Sequence, residues 1–357
     1  MPVDSATDHI RARGKLRGMP AVQMLFLAAL LSGLLVVSTG MGFIKIPAAA
    51  VVKIILNKIF GSPELISGMD EILPVVVMDV RLPRILSAAL VGGGLAMCGV
   101  VFQGILLNPL ADPYTLGVSA GAAFGAALAI LLNVSALGIY SVPLFAFMGA
   151  AATLAAVIHL SSAGGGLSSN TLILSGIIVA AILAAGISFL KYLADEQVAV
   201  IIFWLMGSFA SKTWADVGLA FGSAAAGLAV FLYFARELNL MSLGGQMASS
   251  LGVDTRRVTL ILLVAASLVA AVCVSVSGII GFVGLLVPHL MRLLSGPDNR
   301  RLIPASLLAG AILLLGADTL TRAVLPAEIP IGVLTALIGG PFFCYVFRKQ
   351  QAARGIW

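Results

Sequence analysis

Asp318 is the residue that most invites chemistry, because it lies in the apolar run "LLLGADTLTR", where an ionised carboxylate is costly. A carboxylate within a membrane span is the group an ion-coupled carrier would use as a relay. Of the 15 Asp and Glu residues, no other falls clearly within such a run. The plainer reading of Asp318 is a packing aspartate, hydrogen-bonded to a neighbouring threonine or to backbone. His159 and His289 stand alone and read as structural histidines. Cys98, Cys273 and Cys344 share no metal-ligand spacing and read as small buried residues.

Three arginines form the second candidate group. Arg81 and Arg84 bracket the proline of "VRLPRIL", and Arg322 follows Asp318 by one helical turn. With the N-terminus inside, all three fall at the outer ends of spans, against the usual preference for basic residues on the inner face. Snorkelling to the interface would account for them. Bidentate recognition of carboxylates on an external protein would account for them too. No phosphate-binding loop is present, since "RGKLRG" lacks the upstream glycine spacing and the Ser/Thr. If transport is ATP-driven, the ATPase is another polypeptide. Nothing in the chain suggests a metal site, a cofactor or a nucleic-acid surface.

The elements that hold these residues must be membrane helices. The 357 residues are 60% hydrophobic and only 10% charged, with a mean hydropathy of +1.11. A soluble domain cannot cover its surface with so little charge. Apolar runs of about 20 residues exclude a β-barrel, whose strands are short and alternating. The expected fold is all-α, a polytopic membrane protein with about ten transmembrane helices. The spans are expected near 21–43, 84–107, 115–133, 141–160, 171–193, 215–235, 258–276, 283–294, 302–323 and 330–348. The eighth is too short to cross alone and reads as a broken span. The first is too long for a signal-peptide core and reads as a span that stays in place. Of the 21 Lys and Arg residues, 13 then fall on the inner face, which favours cytoplasmic termini.

This layout gives a cytoplasmic segment at 1–20, a membrane domain at 21–348 and a cytoplasmic tail at 349–357. Outside the spans, "AAAVVKIILNKIF" reads as an interfacial helix and 193–214 as a re-entrant or surface helix. The long inner loop at about 236–257, "RELNLMSLGGQMASSLGVDTRR", is the natural dock for a soluble partner. Between the second and third spans, "LLNPLADPYTLGV" is a sharp polar turn. Pro109 and Pro113 are expected to end one helix and start the next, with Asn108 and Asp112 bonding to freed backbone groups. After it Gly117, Gly121 and Gly125 repeat every four residues, as one close-packing helix face would.

Four strings in order, "RLPRILSAALVGGGLAMCGVVFQGILLNPLADPYTLGVSAGA", "LGGQMASSLGV", "SGIIGFVGLLVPHLMRLL" and "PIGVLTALIGGPFF", closely resemble the FecCD family. These are permease subunits of type II bacterial ABC importers for iron–siderophores, haem and cobalamin. The resemblance runs from the first span to Phe347. It implies a bacterial inner-membrane homodimer in lipid, with two ATPase subunits that carry ATP and Mg and an external substrate-binding protein. The permease itself would catalyse no reaction.

In the family, arginines matching Arg81, Arg84 and Arg322 meet glutamates of the binding protein. The loop matching "LGGQMASSLG" forms two short coupling helices seated on the ATPase, which implicates Gly244, Gly245, Gln246, Ala248, Leu251 and Gly252. The family usually has Glu where this chain has Gly245, so docking is expected to rest on Leu251, Gly252 and the pair Arg256 and Arg257. The resemblance also sets the turn beside the inner mouth of the path, making Leu107, Asn108 and Pro109 gate candidates. An iron–siderophore is the first expectation for cargo, with haem or cobalamin as alternatives. Two other classes remain: a secondary carrier working through Asp318, and a scaffold binding partners through Gly244–Arg257.

Overall fold

A computed structural model describes residues 20–42, 44–134, 136–162, 167–323 and 328–353, and every regular element among them is helical. The chain begins with α1 (Pro20–Gly40) and the amphipathic α2 (Ala48–Phe60), then α3 (Ile72–Ile105), a continuous rod that is π-helical over Val76–Arg81. Next come α4 (Val118–Leu131), α5 (Ser141–Ser162), α6 (Ser169–Leu193), the short α7 (Val198–Leu205) and α8 (Trp214–Tyr233). Two small helices, α9 (Ala235–Met241) and α10 (Gly245–Ser250), lead into α11 (Thr255–Ser277). The chain then forms α12 (Val283–Ser295), α13 (Asn299–Ala323) and α14 (Ile331–Ala353). The basic N-terminal residues 1–19 and the final residues 354–357 lie outside the described residues.

Seven of these helices, α1, α3, α5, α6, α8, α11 and α13, are long and apolar enough to cross a membrane. The helices at the third and eighth expected spans are apolar but shorter, and the helix at the tenth is apolar over Ile331–Tyr345. The second expected span needs correction at its start. Helix α3 begins at Ile72 rather than near Arg84, so Arg81 and Arg84 lie within a continuous helix. Pro83 has no N–H, and its ring crowds the preceding turn. The wider π-helical turns just before it give the ring room without ending the helix.

Helix α3 forms the centre of the bundle, with 89% of its apolar window buried against 11% for α1. Its small residues explain why it can sit there. A Cβ at Gly92 would strike the Gly310 carbonyl of α13, and one at Gly99 would strike the Gly284 carbonyl of α12. At Gly94 a Cβ would lie 2.8 Å from Cys273 Sγ of α11. Helices α12 and α13 therefore approach α3 backbone to backbone, and α11 approaches it through the Cys273 side chain, the packing that small residues permit where lipid supplies no hydrophobic drive.

Two short helices share one construction. Helix α4 follows the irregular segment Leu106–Gly117, and α12 follows Gly278–Phe282. Both first-turn caps are left-handed, Gly117 at φ 74° and Phe282 at φ 69°. The latter costs on the order of 1–2 kcal/mol for a residue with a side chain. The two segments meet: Tyr114 Oη donates to the Ile280 carbonyl and accepts from Ile280 N at 3.2 Å. Buried irregular backbone survives only where a partner satisfies it, and Tyr114 does this for both backbone groups of Ile280. The expected helix ends are corrected accordingly: α3 stops at Ile105, before Asn108, and α4 starts at Val118, well past Pro113.

The glycine repeat is also divided. Gly121 and Gly125 lie in α4 and press on α5, against Gly149 and Phe145. Gly117 precedes the helix and faces Gly176 of α6 instead, so the three do not form one face. Of the cysteines, Cys98 and Cys273 are buried as expected, while Cys344 is exposed.

Candidate functional site

The three arginines gather at one end of the bundle, together with Asp318. Arg84 Nη2 lies 2.9 Å from Asp318 Oδ1, and Arg84 Nε donates to the same oxygen at 3.1 Å. The other edge of the guanidinium donates from Nη1 to Glu328, at 3.1 Å to Oε1 and 3.2 Å to Oε2. The Asp318 carboxylate is therefore not bonded to a threonine among the described residues; Thr321 Oγ1 donates to the Asp318 backbone carbonyl instead, at 2.9 Å. Asp318 is a buried carboxylate held by an arginine from α3, with Arg322 Nε a further 3.9 Å away.

Arg81 and Arg322 work on backbone. Arg81 Nη1 donates to the Thr39 carbonyl at 2.7 Å, and its Nη2 donates to the Ile44 carbonyl. Arg322 Nη2 donates to the Ser38 carbonyl at 2.7 Å, and its Nη1 donates to the Met41 carbonyl. These carbonyls belong to the end of α1 and the chain just after it, where helical partners run out and a positive charge is favoured. Gly42 lies between the two groups, and a Cβ there would meet each at 3.1 Å. All three guanidinium groups are thus turned inward: Arg81 is 7% exposed, and the side chains of Arg84 and Arg322 are 13% and 9% exposed. A cavity of about 160 Å³ opens beside the cluster, lined by Arg84, Asp318, Glu328, Ser208 and Thr321.

The opposite end carries α9 and α10. Leu238 of α9 is fully buried against α3 at Gly104, and Ala248 of α10 is fully buried. Around these anchors Leu243, Met247 and Leu251 are each more than half exposed. Gly244 at φ 102° and Gly252 at φ 86° make the turns on either side of α10, a conformation that L side chains rarely adopt. Gln246, Arg256 and Arg257 are exposed, and Arg257 Nε pairs with Asp254 at 3.0 Å. A Cβ at Gly245 would meet no atom within 4 Å, so packing does not exclude a larger residue there.

At this same end lies the turn after α3. Leu107 has φ 50° and is 54% exposed, and Pro109 is exposed beside it. Asn108 Oδ1 accepts from Leu110 N at 2.9 Å. Asp112 Oδ1 accepts from Thr115 N at 2.9 Å, Thr115 Oγ1 at 2.8 Å and Tyr114 N at 3.1 Å. Both side chains close the backbone turns that the sequence suggests. Burial pushes the Asp112 carboxyl above its ordinary range, and the bonds from Thr115 and Tyr114 oppose that.

Sequence reasoning found the arginines and the carboxylate separately but missed their pairing, and it missed Glu328 altogether. Arg84 and Asp318 stand 234 residues apart, and no local spacing links them.

Known proteins resemble the chain over most of its length. The model of the FecCD transport family matches residues 29–349. The cobalamin import permease of Halobacterium salinarum is 44% identical over 80% of this chain and 76% of its own length. The haemin transport permease of Yersinia pestis is 41% identical over 78% of this chain and 84% of its own. The Fe(3+)-citrate import permease of Bacillus subtilis is 38% identical over 93% of this chain and 96% of its own. A metal-chelate type ABC transporter solved in an inward-facing conformation superposes with a TM-score of 0.79 at 35% identity, covering 91% of this chain and 98% of that one.

Proposed function

Since the chain belongs to the FecCD transport family, we propose that it is the permease of an importer that moves an iron–siderophore or similar metal chelate inward across the bacterial inner membrane. The family's members are multi-pass membrane permeases without catalytic activity, and they work with a separate ATPase and a substrate-binding protein. Nucleotide binding belongs to that ATPase. The observation that carries the reading for this chain is the pair α9–α10, two short helices anchored by Leu238 and Ala248 that leave Leu243, Met247 and Leu251 uncovered. Apolar side chains exposed on short helices outside the spans suit a groove on a soluble partner.

In this reading α9–α10 and both termini face the cytoplasm, and the arginine end faces outward. Two copies of the chain enclose the path, and Leu107, Asn108 and Pro109 stand at its inner mouth. The external protein arrives at Arg81, Arg84 and Arg322. Those guanidinium groups are already engaged, so carboxylates of the incoming protein compete with internal partners. Glu328 yields most readily, because its side chain is 54% exposed. For cargo, the Fe(3+)-citrate relative aligns over the greatest share of this chain among those described above. Haem and cobalamin are the second reading, favoured by relatives of similar identity.

The cognate binding protein decides the cargo. Purified and screened against ferric siderophores, ferric citrate, haemin and cobalamin, it is expected to retain a ferric siderophore or ferric citrate. Retention of only haemin or only cobalamin would overturn that choice while leaving the importer reading intact.

A further inference from the structure

Asn239 lies on α9, and its side-chain amide is engaged through both its nitrogen and its oxygen. Nδ2 donates to Asp298 Oδ1 at 2.7 Å. Oδ1 accepts from Asn299 N at 2.9 Å and from Asn299 Nδ2 at 2.8 Å. Asp298 Oδ1 also accepts from Arg300 N at 3.1 Å, so the atom that receives Asn239 caps the first turn of α13 as well. Asn299 is buried, and so is Leu238 beside Asn239. An amide with donor and acceptor both engaged fixes orientation as well as distance, and a partly buried site strengthens it.

The helix gripped this way runs the depth of the bundle. Its 25 residues span about 37 Å at the rise of an α-helix. Asp318 and Arg322 lie near its far end. Helix α3 is fastened to it twice, by the backbone approach of Gly92 and Gly310 and by the Arg84–Asp318 pair. On the other side, α9 follows α8 after the single residue Phe234, and α10 is reached through the left-handed turn at Gly244.

We propose that Asn239 is a positioning residue that passes displacement of the α9–α10 segment to α13, and through the joined α3–α13 pair to the arginine end. The proposal rests on the reading that α10 receives the ATPase. A push on α10 reaches α9, and α9 meets the end of α13 through an amide that transmits direction. The side chain touches neither cargo nor nucleotide, and it acts only through Asp298 and Asn299.

The test is a charge swap in the full complex, reconstituted with ATPase and binding protein. Asn239→Asp removes the donor and sets a second carboxylate against Asp298. Asp298→Asn keeps an acceptor for Arg300 N and for Asn239. The double variant restores the contact in reverse, with the amide at 298 donating to the carboxylate at 239. Asn239→Asp is expected to assemble with the ATPase and hydrolyse ATP, yet to move at least ~10-fold less cargo per ATP, the scale of one lost charge-assisted hydrogen bond. Asp298→Asn is expected to stay near the unaltered chain, and the double variant to recover most of the coupling.

Unchanged cargo per ATP in Asn239→Asp overturns the proposal. So does a loss that the double variant fails to recover, or a loss of ATPase assembly in Asn239→Asp alone, which would make Asn239 part of the dock. Failure of the unaltered chain to bind any ATPase is a different result, and it overturns the functional reading beneath the proposal.

Discussion

The arginine end and the α9–α10 end are both rich in groups that can meet another protein, and they deploy them in opposite ways. At the arginine end the charges face inward. Arg84 holds Asp318 and Glu328, while Arg81 and Arg322 hold the carbonyls after α1. At the other end Leu238 and Ala248 are buried as apolar anchors, and Leu243, Met247 and Leu251 stand outside. Charge in a membrane protein is costly until it is paired, so residues that read from sequence as a docking surface serve first as internal braces. Apolar side chains carry no such cost at a water-facing surface that a partner later covers.

The largest expected effect breaks the brace. Arg84→Ala leaves Asp318 buried without its closest partner, which should cost about 3–5 kcal/mol of stability. Thermal unfolding of the purified chain measures it, and Arg84→Ala/Asp318→Ala should recover part of the loss. A single variant as stable as the unaltered chain would show that the inward-facing pair is not structural.

Leu251→Asp tests the opposite end and should reverse the pattern. Leu251 is 55% exposed in the chain by itself, so stability should change by no more than ~0.5 kcal/mol. ATPase affinity should fall by ~2 kcal/mol or more, as when a charge enters an apolar interface core. Copurification with the ATPase checks this, and normal ATP-driven uptake in the variant would show that the dock lies elsewhere.

Glu328→Gln should have the smallest effect. An exposed ion pair contributes ~0–1 kcal/mol, so the unfolding temperature should barely move. Binding-protein affinity, measured by calorimetry at low and moderate salt, should rise by at most ~5-fold as a competitor for Arg84 is weakened. Weaker binding would make Glu328 itself a docking group and undo the idea that it yields to the partner.

Much of this contrast is legible in the sequence, because its signals are local. The apolar runs, the short eighth span and the polar turn at Asn108 and Asp112 are set by neighbouring residues; the Asx turns close where those residues suggest, and the helices follow the runs with shifted ends. The resemblance makes this segment legible only in part: Gly244 and Gly252 frame α10, but the string "LGGQMASSLG" holds that one helix rather than two, and α9 lies before it. What stays hidden is pairing at a distance. Asp318 looks solitary until α3 delivers Arg84, and Asn239 looks like an ordinary loop residue until α13 brings Asp298 beside it. The glycine repeat misleads for a related reason. Its spacing implies one face, but the αL backbone at Gly117 places that residue outside the helix.

Uptake into sealed vesicles holding the reconstituted complex is the most direct test of the central claim, that this chain conducts cargo under the drive of a separate ATPase. With binding protein and ferric chelate outside and ATP within, labelled iron should accumulate. It should stop when ATP or the binding protein is withheld, and a proton gradient alone should drive none. Accumulation driven by a proton gradient without ATP, and abolished by Asp318→Asn, would contradict the account and make the chain a secondary carrier.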